Sequence, residues 1–318
     1  MKYYAGLDIG GTKCAALIGG VKDDGTIEIL AKEKFPTEGK PEEMLAKLCE
    51  AVLRLKGDKT LLAAGISCGG PLSSEKGLIL SPPNLPGWDN IPACKIVGER
   101  LNIPCKLQND ADACALAEWK FGAGKGTQNM VFLTCGTGFG AGLILGGRLY
   151  TGACDMAGEI GHIRVTEGGP VGYGKAGSFE GFCSGGGIAQ VAKTVALEQL
   201  QMGKNTVFCQ NYEELETISA KTVADAANAG DPLALQVYKT CGTYLGRSLA
   251  MLIDLLNPEA VVLGSIYARC ENLLADTCRE VIEKECLPGA ARRCQILPAA
   301  LGESIGDIAA LAVAAKED

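Results

Sequence analysis

Asp110 is the residue in this sequence best placed to accept a proton. It follows a short apolar strand, Cys105–Leu107, that stops at Gln108-Asn109-Asp110, and it precedes a helical stretch, Ala111–Phe121, with Ala115, Leu116 and Trp119 apolar. Taken alone, an aspartate there is most often a helix N-cap. The C-terminal end of a strand in an open α/β sheet is also the usual place for ligand chemistry, and a carboxylate there can take a proton from an attacking hydroxyl. The two roles do not exclude one another. Asp8 has a similar double reading in the turn Asp8-Ile9-Gly10-Gly11-Thr12-Lys13. It either braces the turn or sits beside phosphates and holds Mg²⁺ through water, with Thr12 and Lys13 donating to phosphate oxygens. The adjacent Gly10-Gly11 favours the phosphate reading. The only histidine stands in Gly158-Glu159-Ile160-Gly161-His162. A lone histidine is usually a satisfied structural residue, or a metal ligand in need of partners. Together with Glu180 it offers two carboxylates and an imidazole, which suit a polyhydroxylated ligand.

The elements that must position these groups are glycine hairpins. Val131–Leu145 reads VFLTCGTGFGAGLIL, an apolar strand, a turn with Gly136, Gly138, Gly140 and Gly142, and a second strand ending at Gly146-Gly147. A turn stripped of side chains lets its N–H groups approach an anion closely. The dinucleotide fingerprint has similar spacing but must open a helix; here a strand follows, which argues against a Rossmann site. An ordinary hairpin turn needs fewer glycines. The N-terminus repeats the pattern, with Tyr4–Leu7, the turn 8–13 and the returning strand Cys14–Ile18. Two such units about a third of the chain apart suggest internal duplication, each able to cradle part of a polyphosphate. Two loops facing one another across a cleft resemble the arrangement of the actin-like, sugar-kinase and Hsp70-like ATPases.

At 318 residues the chain can form two domains with their own cores. A net charge of −7 and a single histidine give no basic patch, so nucleic acid is excluded as an expected partner. Met1-Lys2-Tyr3 leads straight into the first strand without room for a signal peptide, and no apolar run approaches a membrane span. A cytoplasmic protein is expected. The fifteen cysteines are scattered singly, without Cys-x-x-Cys, and most lie in apolar segments. They read as reduced core residues that behave as small hydrophobes.

In order, the chain predicts a strand pair, a third strand Ile27–Lys34, a helix opened by Pro41, and a buried strand Leu61–Ser67 ending at Cys68-Gly69-Gly70-Pro71. That order is the order of a ribonuclease-H-like half. A proline-rich loop, 81–88, exposes Asn84. Thr151–Gly187 is a long irregular stretch, functional or mobile by its length. Helices follow around Ile188–Gln201, Thr222–Ala229 and Pro232–Leu256, the last capped by Asp231 and ended by Asn257-Pro258; Ala260–Leu263 is a strand meeting Gly264-Ser265. Glu303–Ala315 closes the chain as a helix whose alanine-leucine face needs a surface to bury against, and the N-terminal lobe is where it is expected to pack.

DIGGTK, GISCGGP, NLPGW, QNDADA, TCGTGFGAG, GEIGH and GESIGDIAAL occur in that order over essentially the whole chain. The set resembles the ROK family of sugar kinases and sugar-responsive repressors. The resemblance implies an α/β, two-lobed actin-like ATPase (ribonuclease-H-like) fold, with the active site in the interlobe cleft. A small N-terminal lobe would comprise residues 1–115 plus 303–318, and a large C-terminal lobe 116–302. It implies an ATP-dependent kinase with Mg²⁺, acting on glucose at the 6-hydroxyl or else on N-acetylglucosamine or N-acetylmannosamine. By motif, Asp110 would be the catalytic base; Asn84, Asn109, Asp110, Glu159, His162 and Glu180 would contact the sugar. Asp8, Gly10, Gly11, Thr12, Lys13, Thr134, Gly136, Thr137 and Gly138 would hold phosphate, and Gly264 would approach the adenosine. Homodimers are common in the family. Its repressors carry a DNA-binding domain ahead of DIGGTK, for which seven residues leave no room. One departure is large. Family members commonly follow the EIGH histidine with Cys-x-Cys-Gly-x-x-Gly-Cys-x-Glu, which holds zinc. Here Val171, Tyr173 and Ser178 stand where the cysteines belong, and Cys154 and Cys183 lie outside the spacing. No structural zinc is expected.

Overall fold

The computed structural model describes residues 1–136 and 138–316. The chain divides into two compact units. The first is Met1–Phe132, Gly142–Gly158 and the chain from Ala300 on; the second is Leu133–Ala141 and Glu159–Ala299.

The first unit is built on a five-stranded sheet of order β3-β2-β1-β4-β7, with β1 Lys2–Ile9, β2 Lys13–Val21, β3 Ile27–Pro36, β4 Leu61–Cys68 and β7 Cys105–Asn109. The strands β1, β2 and β3 are antiparallel neighbours, while β1, β4 and β7 run parallel. Alternation along β1 decides what each face meets. Ala5, Leu7 and Ile9 join a core with Met44, Leu45, Leu48 and Val52 of α1 (Pro41–Leu55) and Val97 of α2 (Ala93–Leu101). A two-stranded ribbon, β5 (Leu72–Ser73) with β6 (Leu78–Ile79), extends this side.

The opposite face carries glycines, and they let the last helix come close. A Cβ at Gly65 would lie 2.2 Å from the Ala310 carbonyl oxygen and 2.3 Å from the Ala314 nitrogen; one at Gly19 would lie 2.3 Å from Leu311 Cδ1. The closing helix, α11 (Ile305–Ala314), is buried from Ile308 to Ala314. It packs on β1, β4 and α3 (Asp110–Phe121). Glu118, fully buried on α3, accepts the N–H groups of Ala123 at 2.8 Å, Ala300 at 3.2 Å and Leu301 at 2.9 Å. One carboxylate therefore satisfies the end of α3 and the segment that enters α11.

A second five-stranded sheet has the order β10-β9-β8-β13-β14, where β8 is Met130–Cys135, β9 Phe139–Leu145, β10 Arg148–Tyr150, β13 Ala260–Leu263 and β14 Gln295–Pro298. It repeats the order of the first sheet position by position, with β9 and β10 antiparallel and β13 and β14 parallel. This is the duplication expected from the two hairpins, and the α/β class is as expected.

In the second unit the stretch from Glu159 is not structureless. It holds a single helical turn at Ile160–His162, a ribbon of β11 (Val171–Gly172) with β12 (Lys175–Ala176), and a short α4 (Phe179–Cys183). The helices that follow are α5 (Gly185–Gln201), α6 (Ala220–Asn228), α7 (Pro232–Leu256), α8 (Ile266–Arg269), α9 (Glu271–Glu285) and α10 (Pro288–Arg293). Asp231 caps α7 by accepting the Ala234 N–H at 2.8 Å, and Asn257, left-handed at φ 47°, ends it. All fifteen cysteines are free, and Cys154 alone is exposed. Burial pushes the Cys49 thiol up to about 11, which keeps it neutral and unreactive. No described helix is long and apolar enough to cross a membrane.

Because a Cβ at Gly65 would collide with backbone rather than with a flexible side chain, Gly65→Ala is expected to destabilise the protein by about 3 kcal/mol. Urea unfolding would check it, and a loss under 1 kcal/mol would show that α11 can slide away.

Candidate functional site

In the first unit the structure gathers Asp8, Gly10–Lys13, Asn84, Asn109 and Asp110 at the C-terminal ends of β1 and β7. The turn after β1 is braced from behind. Gly10 N–H donates to the Lys13 carbonyl at 3.1 Å, the Thr37 hydroxyl donates to the Gly10 carbonyl at 2.6 Å, and Thr37 N–H donates to the Thr12 carbonyl at 3.0 Å. Gly11, Thr12 and Lys13 remain exposed and open to a ligand. A side chain at Gly11 would meet the Asn84 carbonyl oxygen at 2.3 Å, so glycine is what lets the proline-rich loop lie against this turn. Buried Leu85 and Trp88 anchor that loop and leave Asn84 exposed.

The helix cap falls one residue earlier than expected. Asn109 is the N-cap of α3, its Oδ1 accepting the Ala111 N–H at 2.9 Å; Asp110 is the first helical residue, and its Oδ1 accepts the same N–H at 2.8 Å. The strand before it extends through Asn109 because β4 pairs with it to that point. Asp110 thus shares the capping of that N–H with Asn109 through Oδ1, and is itself open to solvent. The surrounding protein still raises its carboxyl above the ordinary 3.8, while the N–H groups of Ala111 and of Asp110 itself oppose the rise.

Register places Asp8 in one cross-strand row, Lys34–Ala15–Asp8–Ser67–Gln108. Lys32 and Lys34 stand on the edge strand β3, and Lys32 forms an ion pair with Asp307 of α11. A cavity of about 200 Å³ is lined by Asp8, Lys13, Lys32, Lys34, Glu303 and Asp307. Asp8 is pushed up to about 6, first by burial and then by Asp307, with Lys32 opposing, Asp110 raising and Lys34 opposing. Lys32, Asp307 and the orphaned Gln108 were not singled out by sequence; for Gln108 the available signal was a polar residue in a buried strand, and for the Lys32–Asp307 pair there was none.

The second unit holds Thr134 and Gly136, with Gly138 beside Glu180, where a Cβ would lie 3.1 Å from Oε2; Thr137 lies outside the described residues. The Gly136 carbonyl accepts the Gly185 N–H at 2.9 Å at the start of α5, and Glu180 Oε2 accepts the Phe139 N–H at 2.9 Å. Glu180 therefore ties α4 to the returning strand of the hairpin. His162 Nε2 lies 4.0 Å from Glu159 Oε2, and its ring meets Tyr173 edge-on at 5.0 Å. Gly264 is buried, with its N–H on the Leu133 carbonyl at 2.8 Å. The next residue, Ser265, has φ 52° and ψ −115°, a strained backbone for a side chain and a further sign of a functional strand end.

Residues 4–317 match the ROK family. The chain belongs to that family. It is 31% identical over 315 residues to a glucokinase of Streptomyces coelicolor, covering 98% of each chain. It is 33% identical over 270 residues to an N-acetylmannosamine kinase of Escherichia coli O157:H7, covering 85% of this chain and 84% of that one. A solved ROK glucokinase of Streptomyces griseus, in complex with glucose and AMPPNP, superposes with a TM-score of 0.75 at 30% identity, covering 99% and 100%. The fold is the two-lobed actin-like ATPase fold.

This ROK chain holds its 163–178 segment with its own hydrogen bonds. The Gln190 side chain bridges Val171, accepting its N–H at 2.9 Å and donating to its carbonyl at 2.8 Å. Lys175 Nζ donates to the His162 carbonyl at 2.6 Å, Ser178 Oγ accepts the Gly181 N–H at 3.1 Å, and Val165 and Thr166 donate to the Gly177 carbonyl. Tyr173, 71% exposed, takes the left-handed turn of the ribbon at φ 45°.

A carboxyl raised from 3.8 to about 6 stabilises the fold below pH 4 and loses that contribution as pH rises through 6. Asp8→Asn is therefore expected to raise the unfolding free energy of the ligand-free protein by about 1–3 kcal/mol at pH 7.5 and to change it little at pH 4. Denaturant melts at both pH values would check this, and equal stabilities at pH 7.5 would contradict it.

Proposed function

We propose that the protein is an ATP-dependent sugar kinase that transfers the γ-phosphoryl group of ATP to a hydroxyl of a hexose. Glucose at its 6-hydroxyl is the first candidate, with N-acetylmannosamine or N-acetylglucosamine next. The observation that carries this reading is Asp110, an exposed carboxylate at the start of α3 that shares its capping with Asn109, in the same unit as the exposed Gly11–Lys13 turn. A phosphate-binding turn and a base are what phosphoryl transfer to an alcohol needs. Kinship with glucokinases and an N-acetylmannosamine kinase supports the substrate class.

On the first unit, the Gly10–Lys13 turn donates to phosphate oxygens through N–H groups, the Thr12 hydroxyl and the Lys13 ammonium. Asn84 and Asn109 bind sugar hydroxyls. Asp110 accepts the proton of the attacking hydroxyl as its oxygen bonds to phosphorus and ADP leaves. On the second unit, Thr134, Gly136, Thr137 and Gly138 bind phosphate, Gly264 borders the adenosine, and Glu159, His162 and Glu180 accept from sugar hydroxyls. We place the protein in the cytoplasm.

The residues present fit magnesium. Asp8 and Asp110 are hard oxygen donors on one unit, and the buried Gln108 Oε1 has no hydrogen-bond partner. Among the described residues no three side chains gather to hold a metal by themselves, which suits an ion carried largely by phosphates and water. When bound, it neutralises phosphate charge; Asp8 would hold it through water. Nothing in the donor set around Val171–Ser178 fits zinc, and the hydrogen bonds there supply the support that thiolates would.

Asp110→Asn is expected to lower kcat by about 10²–10⁴-fold on the best sugar of a panel of hexoses and 2-acetamido hexoses. Stability and ADP affinity should be nearly unchanged, since Asn109 provides the cap. A variant that phosphorylated sugar at close to the parent rate would require another base.

A further inference from the structure

Gln108 is 4% exposed, and its side-chain oxygen has no hydrogen-bond partner. A buried acceptor left unpaired costs about 1–3 kcal/mol, so native proteins keep one where a partner arrives. Its place in the fold says what that partner touches. Asp8 pairs in register with Ser67, and Ser67 with Gln108, so the three side chains stand in one row on one face of the sheet. Neighbouring strands lie about 4.8 Å apart, which sets the outer Cα atoms of this row about 10 Å from one another. The middle residue is a serine, buried at 2% exposure, whose short side chain puts no long group between the two that flank it. A carboxylate on one flank and an orphaned carboxamide oxygen on the other can be joined through something small that donates hydrogen bonds. Water bound to a cation is such a donor, because the ion's charge strengthens its O–H groups as donors.

The same row is closed off from above by α11. A Cβ placed on Gly306, near the start of that helix, would lie 3.9 Å from Asp8 Oδ2, so no larger residue stands between the helix and this carboxylate. The face is therefore shaped by small residues at Ser67 and Gly306 and edged by Asp8 and Gln108.

We propose that Gln108 is a positioning residue for the magnesium nucleotide, its side-chain oxygen accepting a hydrogen bond from the ion's water shell beside Asp8. This rests on the kinase reading. The carboxamide does not touch the reacting atoms; it fixes the water that Asp8 alone would leave free to rotate.

Binding of ADP to the full-length protein, measured by calorimetry with excess Mg²⁺ and again with EDTA, separates this role from a structural one. In the parent, Mg²⁺ should tighten ADP binding. Gln108→Leu should reduce that metal-dependent gain about tenfold, the worth of one charge-assisted hydrogen bond, and leave ADP binding in EDTA unchanged. Its ligand-free melting temperature should be equal to or above the parent's, because the orphaned oxygen is gone. Gln108→Glu keeps an acceptor and should retain the gain. A Leu variant with an intact magnesium effect would overturn the proposal, as would one with a lowered melting temperature and equal losses in both buffers. A parent that shows no magnesium effect on ADP binding would instead overturn the kinase reading itself.

Discussion

The packing of α11 on a glycine-lined face of the N-terminal sheet is the constraint on which the first unit depends. Gly65 and Gly19 allow a distance at which any side chain would strike backbone or Leu311. That closeness brings the start of the helix to Asp8 and sets Asp307 against Lys32. Glu118 fixes the approach by pairing three N–H groups from two segments. A carboxylate in a fully buried position is costly unless its oxygens are satisfied, and here each oxygen has a donor.

The electrostatics follow from that packing. Asp8 is crowded by the helix and by Asp307, which raises its carboxyl, while Lys32 and Lys34 on the edge strand oppose the rise. A group held away from its preferred charge is stabilised by whatever brings the missing counter-charge. Asp8 is in that condition, and in the same cross-strand row the buried Gln108 Oε1 has no hydrogen-bond partner. In the second unit Glu180 works differently, since its carboxylate already pairs with Phe139 N–H and ties α4 to the returning strand of the hairpin.

Much of this was legible in the sequence because the signals were local. The two strand–glycine–strand units announced the duplication, and the sheets share one order. Asp231, Pro232 and Asn257-Pro258 marked both ends of α7. Ala111 has one N–H to donate, and sequence could not say that the Asn109 and Asp110 oxygens share it. The segment 151–187 read as irregular because its order comes from long-range bonds such as those of Gln190 to Val171, not from periodicity. Lys32–Asp307 and Glu118–Leu301 join residues far apart in the chain, and no local pattern reports such pairs.

The account stands on the coupling of ATP cleavage to a sugar hydroxyl by this chain. Phosphorus NMR of the purified protein with ATP, Mg²⁺ and glucose would follow the γ-phosphoryl group directly. The account predicts that its resonance is replaced by that of a hexose phosphate, in step with ADP and only when sugar is present. Release of inorganic phosphate at a rate indifferent to every hexose and 2-acetamido hexose supplied would contradict it.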